Sequence, residues 1–109
     1  MTSPVISVII ASYNQEKYIS RCLRSLISQT ISRDKFEIVV INDGSTDRSA
    51  SVLNEFANEI VLIDNDKNIG LPASLNKAIR RARAPFVVRV DADDYVNAEF
   101  LHLLHEFLR

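Results

Sequence analysis

The sequence predicts a single α/β domain: a mostly parallel four-stranded sheet with helices on both faces. Three observations predict it. Apolar β-branched runs alternate with amphipathic helical segments along the whole chain. Alternation of that kind implies a parallel sheet joined by right-handed crossovers. Two of the apolar runs end in acids, at Asp43 and at Asp91. No linker, repeat or low-complexity tract divides the 109 residues, which are enough for one core.

The elements follow in order. Residues 5–11 (V-I-S-V-I-I-A) are nearly all apolar, as in a strand buried on both faces. Residues 15–28 place Tyr18, Ile19, Cys22, Leu23, Leu26 and Ile27 on one helical stripe. Residues 36–41 form the second strand. Asn42-Asp43-Gly44-Ser45 is turn chemistry, and Ser45 or Thr46 suits the cap of a helix burying Val52, Leu53, Phe56 and Ala57. Residues 60–63 are a short third strand, and residues 64–70 a polar loop. Residues 71–82 form a helix with Leu71, Leu75, Ala78, Ile79 and Ala82 inward. Ala84-Pro85 breaks it. Residues 86–90 are the fourth strand. Asn97 caps a last helix with Phe100, Leu101, Leu104, Phe107 and Leu108 on one side. The fold rule for such sheets gives the order 3-2-1-4, with Ser12, Tyr13, Asn14 and Asp91 to Asp94 facing one crevice at the carboxyl edge.

Composition narrows the function little. Hydrophobic residues make up 47 % and charged residues 25 %, and 13 basic against 14 acidic residues leave a net charge of −1. That balance gives no field favouring nucleic acid or anionic lipid. The single Cys22 excludes an internal disulfide framework and a zinc–cysteine cluster. No segment approaches the roughly 20 apolar residues of a membrane span. The first residues, M-T-S-P, lack the pattern of a signal peptide. A cytoplasmic chain is expected. Two glycines, Gly44 and Gly70, cannot build a dinucleotide fingerprint or a P-loop.

Four segments carry chemistry. Asp91-Ala92-Asp93-Asp94 puts three carboxylates at a strand end. Acids favour a helix start, and Asp94 suits that role. Three are more than a cap needs, and they repel one another without a cation. Oxygen donors of this kind bind Mg2+ or Mn2+ and, through it, phosphate. Asp43 can accept from a ribose or a base N–H, although a turn with a capped helix accounts for its segment equally well. Tyr13 can stack on a base and the backbone near it can meet phosphate, but a strand-to-helix turn explains those residues as readily. Asn68-Ile69-Gly70, with Ser74 and Asn76, is a polar loop entering a helix. Arg80, Arg81 and Arg83 form a solvated helix face. Arg89 interrupts a strand expected to be buried, so a partner among the acids is expected. His102 and His105 fall on the solvent side of the last helix.

Taken together, residues 8–14 (V-I-I-A-S-Y-N), 41–47 (I-N-D-G-S-T-D), 68–71 (N-I-G-L) with Asn76, and 88–95 (V-R-V-D-A-D-D-Y) resemble the amino-terminal half of family 2 glycosyltransferases of the GT-A fold. They stand in family order and at family spacing. The resemblance implies a Rossmann-like donor site for a nucleotide-diphosphate sugar. In it Asp43 contacts the base, usually uracil. Ser12, Tyr13, Asn14 and, more weakly, Glu16 line the nucleotide pocket. Lys67 reaches base or phosphate, Asn76 belongs to the loop motif, and Asp91 and Asp93 form the DxD element. Asp93 is the implied direct ligand of Mn2+ or Mg2+, with Asp91 nearer the ribose or the metal waters. Inverting transfer to a saccharide or lipid-linked acceptor hydroxyl follows. Many members have Ala-Arg-Asn where this chain has Ser74-Leu75-Asn76.

Family members continue past this point, and their second half supplies acceptor contacts and usually the catalytic base. No residue here is assigned that role. The chain is therefore expected to be truncated at its carboxyl end. The rival expectation is a non-catalytic assembly module, because a sheet ending at its fourth strand leaves an edge that favours homo-oligomers. A nucleotidyltransferase is a further alternative, and the lack of a Gly-rich phosphate loop argues against it.

Overall fold

The computed structural model describes residues 3–108. Four strands, β1 (Ile6–Ser12), β2 (Phe36–Asn42), β3 (Val61–Asp64) and β4 (Phe86–Arg89), alternate with four helices. These are α1 (Ile19–Ile27), α2 (Ser49–Asn54), α3 (Leu71–Arg81) and α4 (Phe100–Leu108). All pairings are parallel, in the order β3-β2-β1-β4. The 3-2-1-4 order expected from the fold rule is the order found.

The two faces of the sheet follow from strand alternation. Ile6, Val8 and Ile10 point with Phe36, Ile38 and Val40 into the larger core, under Ile19, Cys22, Leu23 and Leu26 of α1, Leu53 of α2 and Leu101 of α4. Ile9, Val39 and Ile41 face the other way and pack on Leu75 and Ala78 of α3. Helices cover both faces, as expected. Truncating a fully buried aliphatic such as Ile38 to alanine costs roughly 2–5 kcal/mol.

Three expectations about packing fail, each for a local reason. Helix α1 starts at Ile19 rather than Gln15, because the Gln15 and Glu16 N–H groups bond to Ser49 and Asp47 of the neighbouring loop instead. Helix α2 is shorter than the apolar spacing suggested. Neither Ser45 nor Thr46 caps it; Asp47 Oδ1 accepts the Ser49 N–H (2.8 Å), and Ala57 is exposed beyond its end. Tyr18 (44 % exposed), Leu71 (45 %), Ile79 (50 %), Phe107 (88 %) and Leu108 (37 %) were expected inward and lie at the surface. Among the described residues only α3 covers the second face, which leaves its outer flank, with Leu71 and Ile79, uncovered. The final helix is capped as expected, with Asn97 Oδ1 accepting the Glu99 N–H (2.9 Å). His102 and His105 are half-buried rather than fully solvated. Among the described residues no helix is long and apolar enough to cross a membrane.

Strand β4 is an edge strand. Phe86 and Val87 are 41 % and 42 % exposed, which corrects the expectation of a strand buried on both faces. It also removes the puzzle of Arg89, whose side chain lies at the surface and needs no burial.

Candidate functional site

The carboxyl ends of all four strands meet on one edge. Ser12, Asn42 and Asp64 are in register across β1, β2 and β3. The ladder runs one step past them, with Asp43 N–H donating to Ser12 O (2.8 Å) and Asn65 N–H to Asn42 O (2.9 Å). On the other side Val90 N–H donates to Ile9 O (3.1 Å) and delivers the acidic segment beside the end of β1.

Asp43 is 3 % exposed. Its Oδ1 accepts from Asn65 Nδ2 (3.0 Å) and Ile69 N–H (2.8 Å), and its Oδ2 from Asn68 Nδ2 (3.1 Å) and Gly70 N–H (3.0 Å). A carboxylate has about four lone-pair sites, and the 65–70 loop fills them. Burial pushes the Asp43 carboxyl up, but the Ile69 N–H, Asn65 amide, Gly70 N–H and Ser74 hydroxyl outweigh it and hold it below its ordinary 3.8. Helix α3 supports the loop, with Asn65 Nδ2 donating to Ser74 Oγ (3.2 Å) and Lys77 Nζ to Asn65 Oδ1 (2.5 Å). Gly44 makes the approach feasible. It sits at φ 68°, and a Cβ there would lie 2.5 Å from Asn68 N and Lys67 C, so glycine is required both by conformation and by space.

The β1–α1 loop is laced to the β2–α2 loop. Asn14 adopts φ 52°, a conformation asparagine tolerates. Its Oδ1 accepts the Thr46 N–H (2.8 Å) and Asp47 N–H (3.3 Å), and its own N–H donates to Ser45 Oγ (3.0 Å). Asn14 therefore joins two loops, with its side chain turned toward residues 46 and 47. Tyr13 is 45 % exposed at the edge. Ser12 is fully buried, and its Oγ has no partner among the described residues. The Glu16 and Lys67 side chains are exposed. Asn76 is exposed on α3 and takes no part in the network among the described residues.

The acidic segment is open by contrast. Asp91, Asp93 and Asp94 are all exposed. Arg89 does pair with a site acid, its Nη2 and Nε each 3.0 Å from Asp91 Oδ1. The acids share a field with Cys22, which lies beneath them and donates to Asp91 O (3.6 Å). Burial, then Asp94, Asp93 and Asp91, push the Cys22 thiol up to about 12, so it stays a neutral core group. Beside the acids an open cavity of about 450 Å3 is lined by Arg89, Val90, Asp91, Asp94, Val96 and Phe100. Among the described residues no three His, Cys, Asp or Glu side chains are grouped so that they could hold a metal ion by themselves. An open set of carboxylate oxygens fits Mg2+ or Mn2+, which keep water and phosphate among their ligands.

Helix α1 holds this segment in place through Arg21, Ser25 and Gln29, none of which the sequence singled out. Their only signal is helical spacing, on the flank of the apolar stripe. Asn65 and Lys77 were also missed, because a loop amide and a surface lysine look like solvated groups.

Comparison with known proteins places the chain. The family model described as glycosyl transferase family 2 matches residues 7–109. Poly(ribitol-phosphate) beta-glucosyltransferase of Bacillus spizizenii is 39 % identical over 106 residues, covering 94 % of this chain and 17 % of that protein. The Staphylococcus aureus TarS 1-349 structure in complex with UDP-GlcNAc superposes with a TM-score of 0.88 at 37 % identity, over 99 % of this chain and 31 % of that one. The mannosyltransferase PcManGT from Pyrobaculum calidifontis, in complex with GDP-Man and Mn2+, gives a TM-score of 0.89 at 29 % identity, over 99 % of this chain and 33 % of that one. The chain thus spans a third or less of the length of each of these proteins. With the GT-A architecture, the strand-end acids and the family match in agreement, the chain belongs to glycosyl transferase family 2.

Proposed function

We propose that residues 1–109 form the donor-binding half of a glycosyltransferase, taking a UDP-linked sugar through Mn2+ or Mg2+ for inverting transfer to a saccharide or lipid-linked acceptor hydroxyl. The observation that carries the reading is the exposed pair Asp91 and Asp93, delivered beside the end of β1. The complexes of relatives with UDP-GlcNAc, and with GDP-Man and Mn2+, support it. Asp93 has no side-chain partner among the described residues and serves as the direct ligand. Asp91, already paired with Arg89, faces the ribose or the metal waters.

Ser12, Tyr13, Asn14 and Glu16 border the base and ribose on one side and Lys67 on the other, with Asp43 between them. Asp43 shapes the base pocket by fixing the 65–70 loop, since four donors already occupy its oxygens. Asn76 stands further out on α3. A bound cation neutralises the diphosphate and stabilises it as a leaving group. The residues of this chain bind and orient the donor. No described residue of this chain is assigned as the base that deprotonates the acceptor. The reading places the domain in the cytoplasm.

Calorimetric titration of UDP with and without Mn2+, on the wild type and Asp93→Ala, tests it. Mn2+-dependent binding that the substitution removes is the expected result. Absence of binding under every condition would leave the second reading, an assembly module. That reading is favoured by the exposed Phe86 and Val87 on edge strand β4 and by Leu103 (60 % exposed) and Phe107 on α4. It expects concentration-dependent dimers or larger species by light scattering, and a monomer at high concentration removes it.

A further inference from the structure

Between β4 and α4 the chain has no regular element, yet its backbone groups are not left to water. One row of side chains on α1 meets them. Arg21, Ser25 and Gln29 recur every four residues, so they lie on one face along the helix and just past its end. Arg21 Nη2 donates to Asp93 O (3.3 Å), and its guanidinium stacks 4.4 Å from the centre of the Tyr95 ring. Ser25 Oγ accepts the Val96 N–H (3.2 Å) while donating to Cys22 O (2.7 Å). Gln29 Nε2 donates to Asn97 O (2.7 Å), and its Oε1 accepts the Leu101 N–H (2.9 Å). The contacts step along the segment in sequence order, from residue 93 to residue 101.

The acids themselves contribute nothing comparable. Asp91 is bonded to the adjacent Arg89, and Asp94 to the N–H of its own neighbour Tyr95. Three exposed carboxylates in four residues repel one another. The Asp94 N–H donates to Asp91 O (3.0 Å) and closes a turn within the segment, but that turn does not tie the segment to the rest of the fold. The hold comes from α1, a helix whose other flank is fixed in the core by Cys22, Leu23 and Leu26.

We infer that Arg21, Ser25 and Gln29 are positioning residues. They fix the spacing of the Asp91 and Asp93 carboxylates, and with it the affinity for the metal-bound diphosphate. The inference rests on the donor-site reading above. It adds that the metal-dependent part of binding is set from α1, while the base-binding part is set independently by Asp43 and the 65–70 loop.

The test separates those two parts. UDP is titrated calorimetrically into the folded protein with and without Mn2+, uridine is titrated alone, and folding is checked by thermal unfolding. Removing an outer-shell partner of a metal ligand typically lowers metal affinity about tenfold or more. Ser25→Ala and Gln29→Ala release Val96, Asn97 and Leu101 rather than a ligand itself, and are expected to lose a smaller part, about threefold, of the Mn2+-dependent gain in UDP affinity, with uridine affinity unchanged. Ser25→Thr keeps the hydroxyl and restores the gain. Arg21→Met, at an exposed helix position, lowers the gain with no loss of melting temperature. It keeps the test valid should a Gln29 variant fold poorly. A wild type without any Mn2+-dependent gain overturns the donor-site reading and this inference with it. A wild-type gain that all of these variants retain overturns this inference alone. Equal losses of uridine and Mn2+–UDP affinity also overturn it, because the row would then act on the whole fold.

Discussion

At the end of β2, Asp43 is 3 % exposed and holds four donors of its own chain. Past the end of β4, the Asp91 side chain is 56 % exposed and its carboxylate holds Arg89 alone among the described residues, where the Asp93 carboxylate holds no side chain. Sequence gives the two acids the same appearance, a carboxylate after an apolar run. Burial and hydrogen bonding give them opposite work. A buried carboxylate with its lone pairs filled has no attraction to spare for a cation, and it stabilises the loop that fills it. Exposed carboxylates crowded together gain by taking a cation, and their backbone must be held by something else. On the proposed reading one strand end builds a wall and the other offers ligands.

The largest effect is expected where the wall is removed. Asp43→Ala leaves the N–H groups of Ile69 and Gly70 and the amides of Asn65 and Asn68 without their acceptor. Each orphaned buried donor costs roughly 1–3 kcal/mol. With some donors relaxing to water, we expect a total loss of about 3–4 kcal/mol by urea unfolding, a large share of the stability of a small domain. Gly44→Ala should act through the same loop, because the new Cβ meets backbone at 2.5 Å. A loss under about 0.5 kcal/mol for Asp43→Ala would erase the contrast between the two acids.

Asp93→Ala should do the reverse. Stability is expected to stay within about 0.5 kcal/mol, as for most surface substitutions, and relief of repulsion from Asp91 and Asp94 tends to raise it. Mn2+-dependent UDP binding should vanish. An Asp93→Ala protein that unfolds early but still binds Mn2+–UDP would exchange the roles assigned to the two strand ends.

Much of this was legible in the chain. The parallel sheet, its order and its covered faces follow from alternation and the fold rule, because burial on both faces leaves an unmistakable run such as residues 36–41. The acidic run at residues 91–94 is visible for the same reason, since nothing else ends a strand with three carboxylates. What was not legible depends on cross-chain contacts. Asn14 and Ser45 are remote in sequence yet bonded. Helix α1 starts late because its first N–H groups are used elsewhere. The side chains that brace the acidic segment sit in α1 and just past its end, where Arg21, Ser25 and Gln29 look like ordinary polar positions. The edge position of β4 was expected from the strand order, but the exposure of Phe86 and Val87 was not, because an apolar strand left uncovered has the same letters as one covered on both faces.

A smaller, pH-dependent effect should separate buried acids from exposed ones. Glu37 lies buried on the α3 face and accepts from Ser7 Oγ (2.6 Å), Arg83 N–H (2.6 Å) and Arg83 Nε (3.2 Å). Burial pushes its carboxyl up, but these donors outweigh burial and hold it below its ordinary 4.5. Asp43 is likewise held below its ordinary 3.8. A depressed carboxylate stabilises the fold fully above its unfolded value and loses that contribution as the pH falls through its folded value. Urea unfolding should therefore be flat from about pH 7 to 5 and decline below about pH 4. Glu37→Gln should be less stable at neutral pH and converge with the wild type in acid. Curves that stay parallel through acid would mean that Glu37 carries none of the decline.

The smallest effect is expected at Arg89, and it sharpens the comparison most finely. Its ion pair with Asp91 is about half exposed on both sides, and exposed pairs contribute roughly 0–1 kcal/mol. Arg89→Gln should therefore leave stability within about 0.5 kcal/mol of the wild type. It also removes a positive charge that competes with a cation for the same carboxylate. Mn2+ affinity should rise about twofold to threefold at low salt, an effect of a fraction of a kcal/mol expected of charges facing water. The gain should shrink toward nothing as ionic strength rises to about 1 M, where screening acts within a few ångströms. A fall in Mn2+ affinity instead would mean that Arg89 orients Asp91 for the cation more than it competes with it. The β4 acids would then be braced from their own strand as well as from α1.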